Sequence, residues 1–161
     1  MIRTATQSDA PRIAEIYNYF IRETIVTFEE TEINAAEMWT RIASAQKEHY
    51  WIVFEYEGVI AGYAYAGNWK SRCAYRQSLE TTIYLDVDYS GRGFGKILYA
   101  DLINKLRADG AHAIMGGVAL PNEASVALHE SLGYQKVAHF KEVGYKMGRW
   151  IDVAYWELIL D

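Results

Sequence analysis

Between Tyr84 and Lys96 a run suited to a strand breaks into glycine at three alternate positions, Gly91, Gly93 and Gly95. It then passes straight into a run suited to a helix. Glycine lets the main chain come close to a ligand. The first turn of a helix offers unpaired N–H groups and the positive end of the helix dipole. Together they suit a pyrophosphate, and Arg92 and Lys96 add positive charge. Two familiar phosphate-binding patterns fail here. A P-loop requires glycine where Ser90 stands and Ser or Thr where Ile97 stands. A dinucleotide fingerprint requires G-x-G-x-x-G early in a βαβ unit, whereas the spacing here is G-x-G-x-G, late in the chain. Taken alone, the run also fits a tight connection with no ligand.

The rest of the chain supplies the frame. Ile2–Thr4 reads as a short strand. Ser8 and Asp9 give helix-start chemistry with Pro11 in the first turn. Ile13, Ile16, Tyr17 and Phe20 then share one helical face. Thr24–Phe28 is β-rich but short. Asn34 and Glu37 have capping-box spacing before a second helix. Tyr50–Tyr56 and Val59–Ala66 read as a hairpin turning at Glu57–Gly58. A polar loop over 68–78 leads to a strand over Leu79–Val87. A helix follows over Ile97–Ala108, with Leu98, Leu102 and Leu106 spaced by four and Gly110 just past its end. Ala113–Leu120 reads as a strand, Asn122–Leu132 as a helix, and Tyr134–Phe140 and Val153–Leu160 as strands. Lys141–Asp152 reads as a long loop. The order predicts a single α/β (α+β) domain over 1–161: a mixed, mostly antiparallel central sheet with helices on both faces.

Composition narrows the partners. The net charge is −5 with no basic run, which disfavours nucleic acid. The most apolar stretch, 51–67, carries Glu55 and Glu57, so no membrane span is expected. Cys73 is the single cysteine, so no internal disulfide is expected, and Met1–Thr6 lacks the apolar core of a signal peptide. A cytoplasmic protein with a small metabolite as partner fits these limits. The 13 Tyr and 5 Trp can line a core, a pocket or an interface, and composition does not choose.

The glycine run resembles the coenzyme A motif of the GNAT acetyltransferase superfamily, [QR]-x-x-G-x-[GA]. Gly93 and Gly95 match its glycines, while Ser90 stands at the Gln/Arg position. A second block, Asn122 to Tyr134, resembles the superfamily's later coenzyme A segment through Asn122, His129, Gly133 and Tyr134. The resemblance narrows to the phosphinothricin and methionine sulfoximine acetyltransferase group. The stretches that carry it are Ile16–Asn18, Trp69–Arg72 with Tyr75, Glu80–Tyr84 and Gly148–Val153.

The resemblance implies acetyl-coenzyme A as co-substrate, no metal, and a small amino-acid-like acceptor such as phosphinothricin, methionine sulfoximine or methionine sulfone. It implies direct transfer and a homodimer. It assigns deprotonation of the amine to Glu80, directly or through water. The coenzyme is expected on Ile83, Tyr84 and Leu85, on Gly91, Arg92, Gly93, Phe94, Gly95 and Lys96, and on Asn122, whose position also suits a helix cap. The acceptor is expected on Phe28 and on the loop Arg72, Cys73, Ala74 and Tyr75. Arg72 suits a substrate carboxylate, and Phe28 suits pocket or core. His129 is a candidate to relay a proton or to protonate the departing thiolate; a buried structural histidine is the other reading. His49, His112 and His139 read as solvated. The competing functions are acetylation of a protein N-terminus or another amine, and a non-catalytic coenzyme A-binding module.

Overall fold

The computed structural model describes residues 1–161. The chain forms seven strands and four helices, in the order β1 (Ile2–Thr4), α1 (Ala10–Glu23), α2 (Ala35–Ala45), β2 (Trp51–Tyr56), β3 (Val59–Asn68), β4 (Ser78–Leu85), α3 (Phe94–Ala108), β5 (Ala113–Leu120), α4 (Glu123–Ser131), β6 (Gln135–Lys146) and β7 (Arg149–Ile159). The strands form one sheet in the order β1-β2-β3-β4-β5-β7-β6. Every neighbouring pair is antiparallel except β4 with β5.

Helices cover both faces. On one, Ile13, Ile16 and Tyr17 of α1 and Met38 and Ile42 of α2 pack on Trp51, Val53 and Tyr63. On the other, Leu98, Leu102 and Leu106 of α3 pack on Ile52, Ala64 and Ile114. The four-residue leucine spacing places all three on the buried face of α3, where each contributes about 1.5–3 kcal/mol. No helix is long and apolar enough to cross a membrane.

Local chemistry sets the element ends. Asn34 caps α2 through Oδ1, which accepts from the Glu37 N–H at 2.8 Å. The β2–β3 turn uses Glu57 and Gly58, both at positive φ, the geometry that matches the twist of a two-residue hairpin. Three boundaries differ from expectation. Thr24–Phe28 is irregular, because its side chains are taken up by neighbours rather than by a strand. The α3 helix begins at Phe94, immediately after the left-handed Gly93, and Val87 leaves β4 for a short 3-10 turn. Lys141–Asp152 is mostly strand: β6 and β7 pair almost to the tip at Met147–Gly148, again two positive-φ residues. Register breaks at Lys136/Ala138 and Phe140/Gly144 disguise the alternation that marks a strand.

Candidate active site

The sheet parts in its middle. β4 and β5 pair only through Ser78–Ala113, Leu79–Ile114 and Glu80–Met115. Beyond Glu80 no rung joins them. The resulting fork encloses a narrow cavity of about 50 Å³ walled by Thr82, Ile83 and Tyr84 of β4, Gly117, Val118 and Ala119 of β5, and Asn122, Ser125 and His129 from α4 and its cap. Parted parallel strands leave the facing edge of β4 free to bond an extended ligand through main-chain groups.

At the far end of β4 lies the glycine turn. Gly91 and Gly93 sit at φ +75 and +81, and a Cβ at either would meet nothing within 4 Å. Conformation demands glycine there, and open space remains. None of the main-chain N–H groups from Gly91 to Lys96 donates to another group of the chain. Six free donors at a helix N-terminus form an anion cradle. Arg92 lies over Tyr89 at 5.3 Å and donates to the Asp88 carbonyl at 3.1 Å, and neither Arg92 nor Lys96 has an acidic partner. Gly95 is buried, and a Cβ there would press on Leu85 at 3.1 Å. Its part is close packing of α3 on β4.

Glu80 is the last residue of β4 to pair with β5, flanked across the strands by Gly67 and Met115. A Cβ on Gly67 would meet nothing within 4 Å, so space opens beside the carboxylate. Burial raises the Glu80 pKa above the ordinary carboxylate range, and Lys70 opposes the rise. Burial raises the pKa of Tyr65 and Tyr155, and the Glu80 charge adds to each rise. On the same face a cavity of about 300 Å³ is lined by Trp69, Tyr75, Ser78, Met115, Phe140 and Tyr155 among others. Trp69 and Tyr155 meet edge-on at 5.3 Å.

His129 lies on the opposite face and is 4% exposed. Its Nδ1 is 2.7 Å from the Ser125 carbonyl oxygen. A carbonyl only accepts, so Nδ1 carries the hydrogen and Nε2 the lone pair. Burial pushes the His129 pKa down, against the pull of that carbonyl. The Tyr99 hydroxyl stands 3.2 Å from Nε2. Tyr99 and Tyr134 both bond Thr81 Oγ1, at 2.6 and 2.9 Å. A buried chain of hydroxyls thus runs beneath the fork to the imidazole.

Asn122 caps α4, with Oδ1 accepting from the Ser125 N–H at 3.1 Å, and its Nδ2 donates to nothing in the chain. Tyr75 joins the apolar cavity beside Glu80. Arg72, which caps a 3-10 turn over Cys73–Tyr75, and Cys73 and Ala74 on that turn are exposed and do not line that cavity, and Arg72 makes no ion pair. Phe28 is 42% exposed, so it is not a core residue; its ring stands on Gly144. His49 bonds Asn68 and His139 bonds Asp152, so neither is simply solvated, while His112 is exposed. Tyr99, Met115 and Tyr155 carry no motif and were not legible as site residues, and Thr81 was legible only as part of the Glu80–Tyr84 stretch; their pairing across strands and helices gathers them.

The family model of the acetyltransferase (GNAT) domain matches residues 2–155. The chain belongs to the GNAT acetyltransferases. Among GNAT relatives, a phosphinothricin N-acetyltransferase of Streptomyces viridochromogenes is 38% identical, over 97% of this chain and 85% of that protein. An L-methionine sulfoximine/L-methionine sulfone acetyltransferase of Salmonella typhimurium is 34% identical, over 99% of this chain and 94% of that one. A putative acetyltransferase from Salmonella typhimurium, solved with its cofactor acetyl-CoA, superposes with a TM-score of 0.97 at 33% identity, covering 100% of this chain and 94% of that one. Membership of the GNAT family makes this protein an acyltransferase, and the mostly antiparallel mixed sheet is the GNAT fold.

Proposed function

We propose that the protein transfers acetyl from acetyl-coenzyme A directly to the amino group of a small amino-acid-like acceptor, of the class that includes phosphinothricin, methionine sulfoximine and methionine sulfone. The observation that carries this is the position of Glu80: the last rung before the strands part, with the fork on one side and an apolar cavity on the other. The coenzyme supplies an activated thioester acetyl group. The free N–H groups from Gly91 to Lys96, with Arg92 and Lys96, hold its pyrophosphate. The fork edge of Ile83, Tyr84 and Leu85 holds the extended arm, assisted by Asn122 Nδ2. Main-chain N–H groups on that edge stabilise the developing oxyanion.

Glu80 accepts the proton that the acceptor's ammonium must lose; the freed amine forms the C–N bond as the C–S bond breaks, and the second amine proton leaves with the coenzyme's thiol. Its raised pKa brings it nearer the working pH, where a general base is most effective. His129 presents a lone pair at Nε2, so it serves as the accepting end of the Tyr134–Thr81–Tyr99 hydroxyl chain rather than as a proton donor. Tyr75 lines the acceptor cavity, with Arg72, Cys73, Ala74 and Phe28 at its approaches. The chain acts as a single catalytic domain over 1–161, in the cytoplasm, as a homodimer. Exposed Val137, Phe140, Val143, Tyr145 and Trp150 on the β6–β7 ribbon support the last point.

The test is release of free thiol from acetyl-coenzyme A against a panel of those three acceptors and unmodified amino acids. Glu80→Gln should lower turnover by about 10²–10⁴-fold while coenzyme affinity holds. Wild-type turnover in that variant would remove Glu80 from the mechanism. No thiol release with any acceptor would overturn the reading.

A further inference from the structure

The stretch that carries the chain from β4 to the glycine turn is short, charged and anchored from outside itself. Asp86 opens it, directly after the last residue of β4. The Asp86 main-chain N–H donates to the Ala61 carbonyl of β3 at 2.9 Å, and its own carbonyl accepts from the Tyr89 N–H at 3.0 Å. Its carboxylate has two partners. Oδ1 accepts from the Asp88 N–H at 2.8 Å, which caps the 3-10 turn Val87–Tyr89. Oδ2 accepts from the Arg12 guanidinium.

Arg12 stands in the first turn of α1, 74 residues away in the chain. A cation there opposes the helix dipole, so α1 itself gains nothing from it. Its nitrogens meet three separate groups: Nε donates to the Ile60 carbonyl of β3 at 3.2 Å, one terminal nitrogen pairs with Glu15 at 3.0 Å, and the other pairs with Asp86. The Arg12 and Asp86 side chains are 25% and 14% exposed, so this pair is shielded from water as an ordinary surface pair is not.

Beyond Asp86 the turn has few holds of its own. Ser90 Oγ reaches the Asp86 carbonyl at 3.4 Å, and Arg92 donates to the Asp88 carbonyl at 3.1 Å. Both bonds run back onto the stretch that Asp86 sets. Asp86 and Asp88 also place carboxylates just ahead of the free N–H groups, where a bare negative charge would repel a diphosphate. Arg12 offsets the charge of the first.

We propose that Arg12 is a positioning residue for the coenzyme: through Asp86 it fixes the turn that presents the Gly91–Lys96 N–H groups, and it cancels negative charge beside them. The inference rests on the placing of the pyrophosphate at the glycine turn, and adds to it the group that holds the turn in place. Arg12 acts through Asp86 and not by contact with the coenzyme.

The test compares two donors. S-acetylpantetheine carries the thioester and arm of acetyl-coenzyme A but no diphosphate. Calorimetry gives both affinities, the weaker one by competition. Arg12→Met should weaken acetyl-coenzyme A about tenfold, the size of one lost charge-assisted hydrogen bond, and leave S-acetylpantetheine within about twofold. Arg12→Lys keeps the charge but not the three-way fork, and should fall between. In an Asp86→Asn background the same Arg12→Met change should cost no more than about twofold, because the partner it acts through is gone. Equal loss of both donors would make Arg12 a brace of the fold alone and overturn the proposal. So would unchanged affinity for both, or an undiminished cost in the Asp86→Asn background. Should Arg12→Met fail to fold, Arg12→Lys decides: a loss confined to acetyl-coenzyme A upholds the proposal, and an equal loss or none overturns it. Wild-type protein that binds neither donor, or both equally, would instead overturn the placing of the diphosphate, and the role of Arg12 with it.

Discussion

Adding one methyl group at Gly116 should disable the imidazole beneath the fork. A Cβ there would overlap His129 Nε2 and lie 2.8 Å from Cδ2. The ring has no retreat: Ser125 holds Nδ1 at 2.7 Å, and Tyr99 and Tyr134 meet the ring edge-on at 5.3 and 5.0 Å. Overpacking a tight core costs about 1–3 kcal/mol. Displacing His129 also breaks its bond from Tyr99 and leaves a buried acceptor unpaired, about 1–3 kcal/mol more. Reduced freedom of the unfolded chain returns about 0.4–1 kcal/mol. The net loss for Gly116→Ala is about 1–5.5 kcal/mol, which lowers Tm by about 2–22 °C in a domain of this size. The matched control is Gly67→Ala on β3, where a Cβ meets nothing within 4 Å; its stability should hold or rise by up to about 1 kcal/mol. Thermal unfolding of the two variants beside wild type decides the matter. A Gly116→Ala protein melting within 2 °C of wild type would show that His129 moves freely, and would refute the fixed tautomer derived from its hydrogen bonds.

Two further outcomes follow from the site. Glu80 acts deprotonated, so kcat/KM should rise as pH climbs through its raised pKa; Lys70 lowers that pKa, so Lys70→Met should move the acid limb of the pH–rate profile to higher pH, and an unmoved limb would remove Lys70 from the site's electrostatics. Asn122→Ala should cost about 0.5–2 kcal/mol through loss of the α4 cap, and should weaken acetyl-coenzyme A several-fold by calorimetry; loss of stability with unchanged affinity would leave Asn122 a cap alone.

Much of this was open to reading from residues, for reasons that can be named. The Leu98, Leu102 and Leu106 spacing and the Glu57–Gly58 turn are local signals, and α3 and the first hairpin follow them. The Gly91–Gly95 run demands positive φ at two positions, which only local chemistry decides. The second hairpin carries the same kind of turn at Met147–Gly148, but irregular register hides the strands on either side. Other features are not local at all. Arg72 and Tyr75 stand three residues apart, yet only Tyr75 reaches the cavity beside Glu80. Thr81 meets Tyr99 and Tyr134 across 18 and 53 residues, and Lys146 meets Thr27 across 119. No window of sequence contains such pairs, because the sheet order creates them.

That order has a consequence for how the enzyme comes into being. β7 lies between β5 and β6, although it is made after both. Until β7 emerges and docks on β5, the earlier β6 has no strand to lie against, and the tip that bears Lys146 hangs without support. A nascent chain can therefore build its glycine cradle long before it can frame the opposite wall. The glycine turn is synthesised before β7, and the wall that β6 and β7 form together waits for β7.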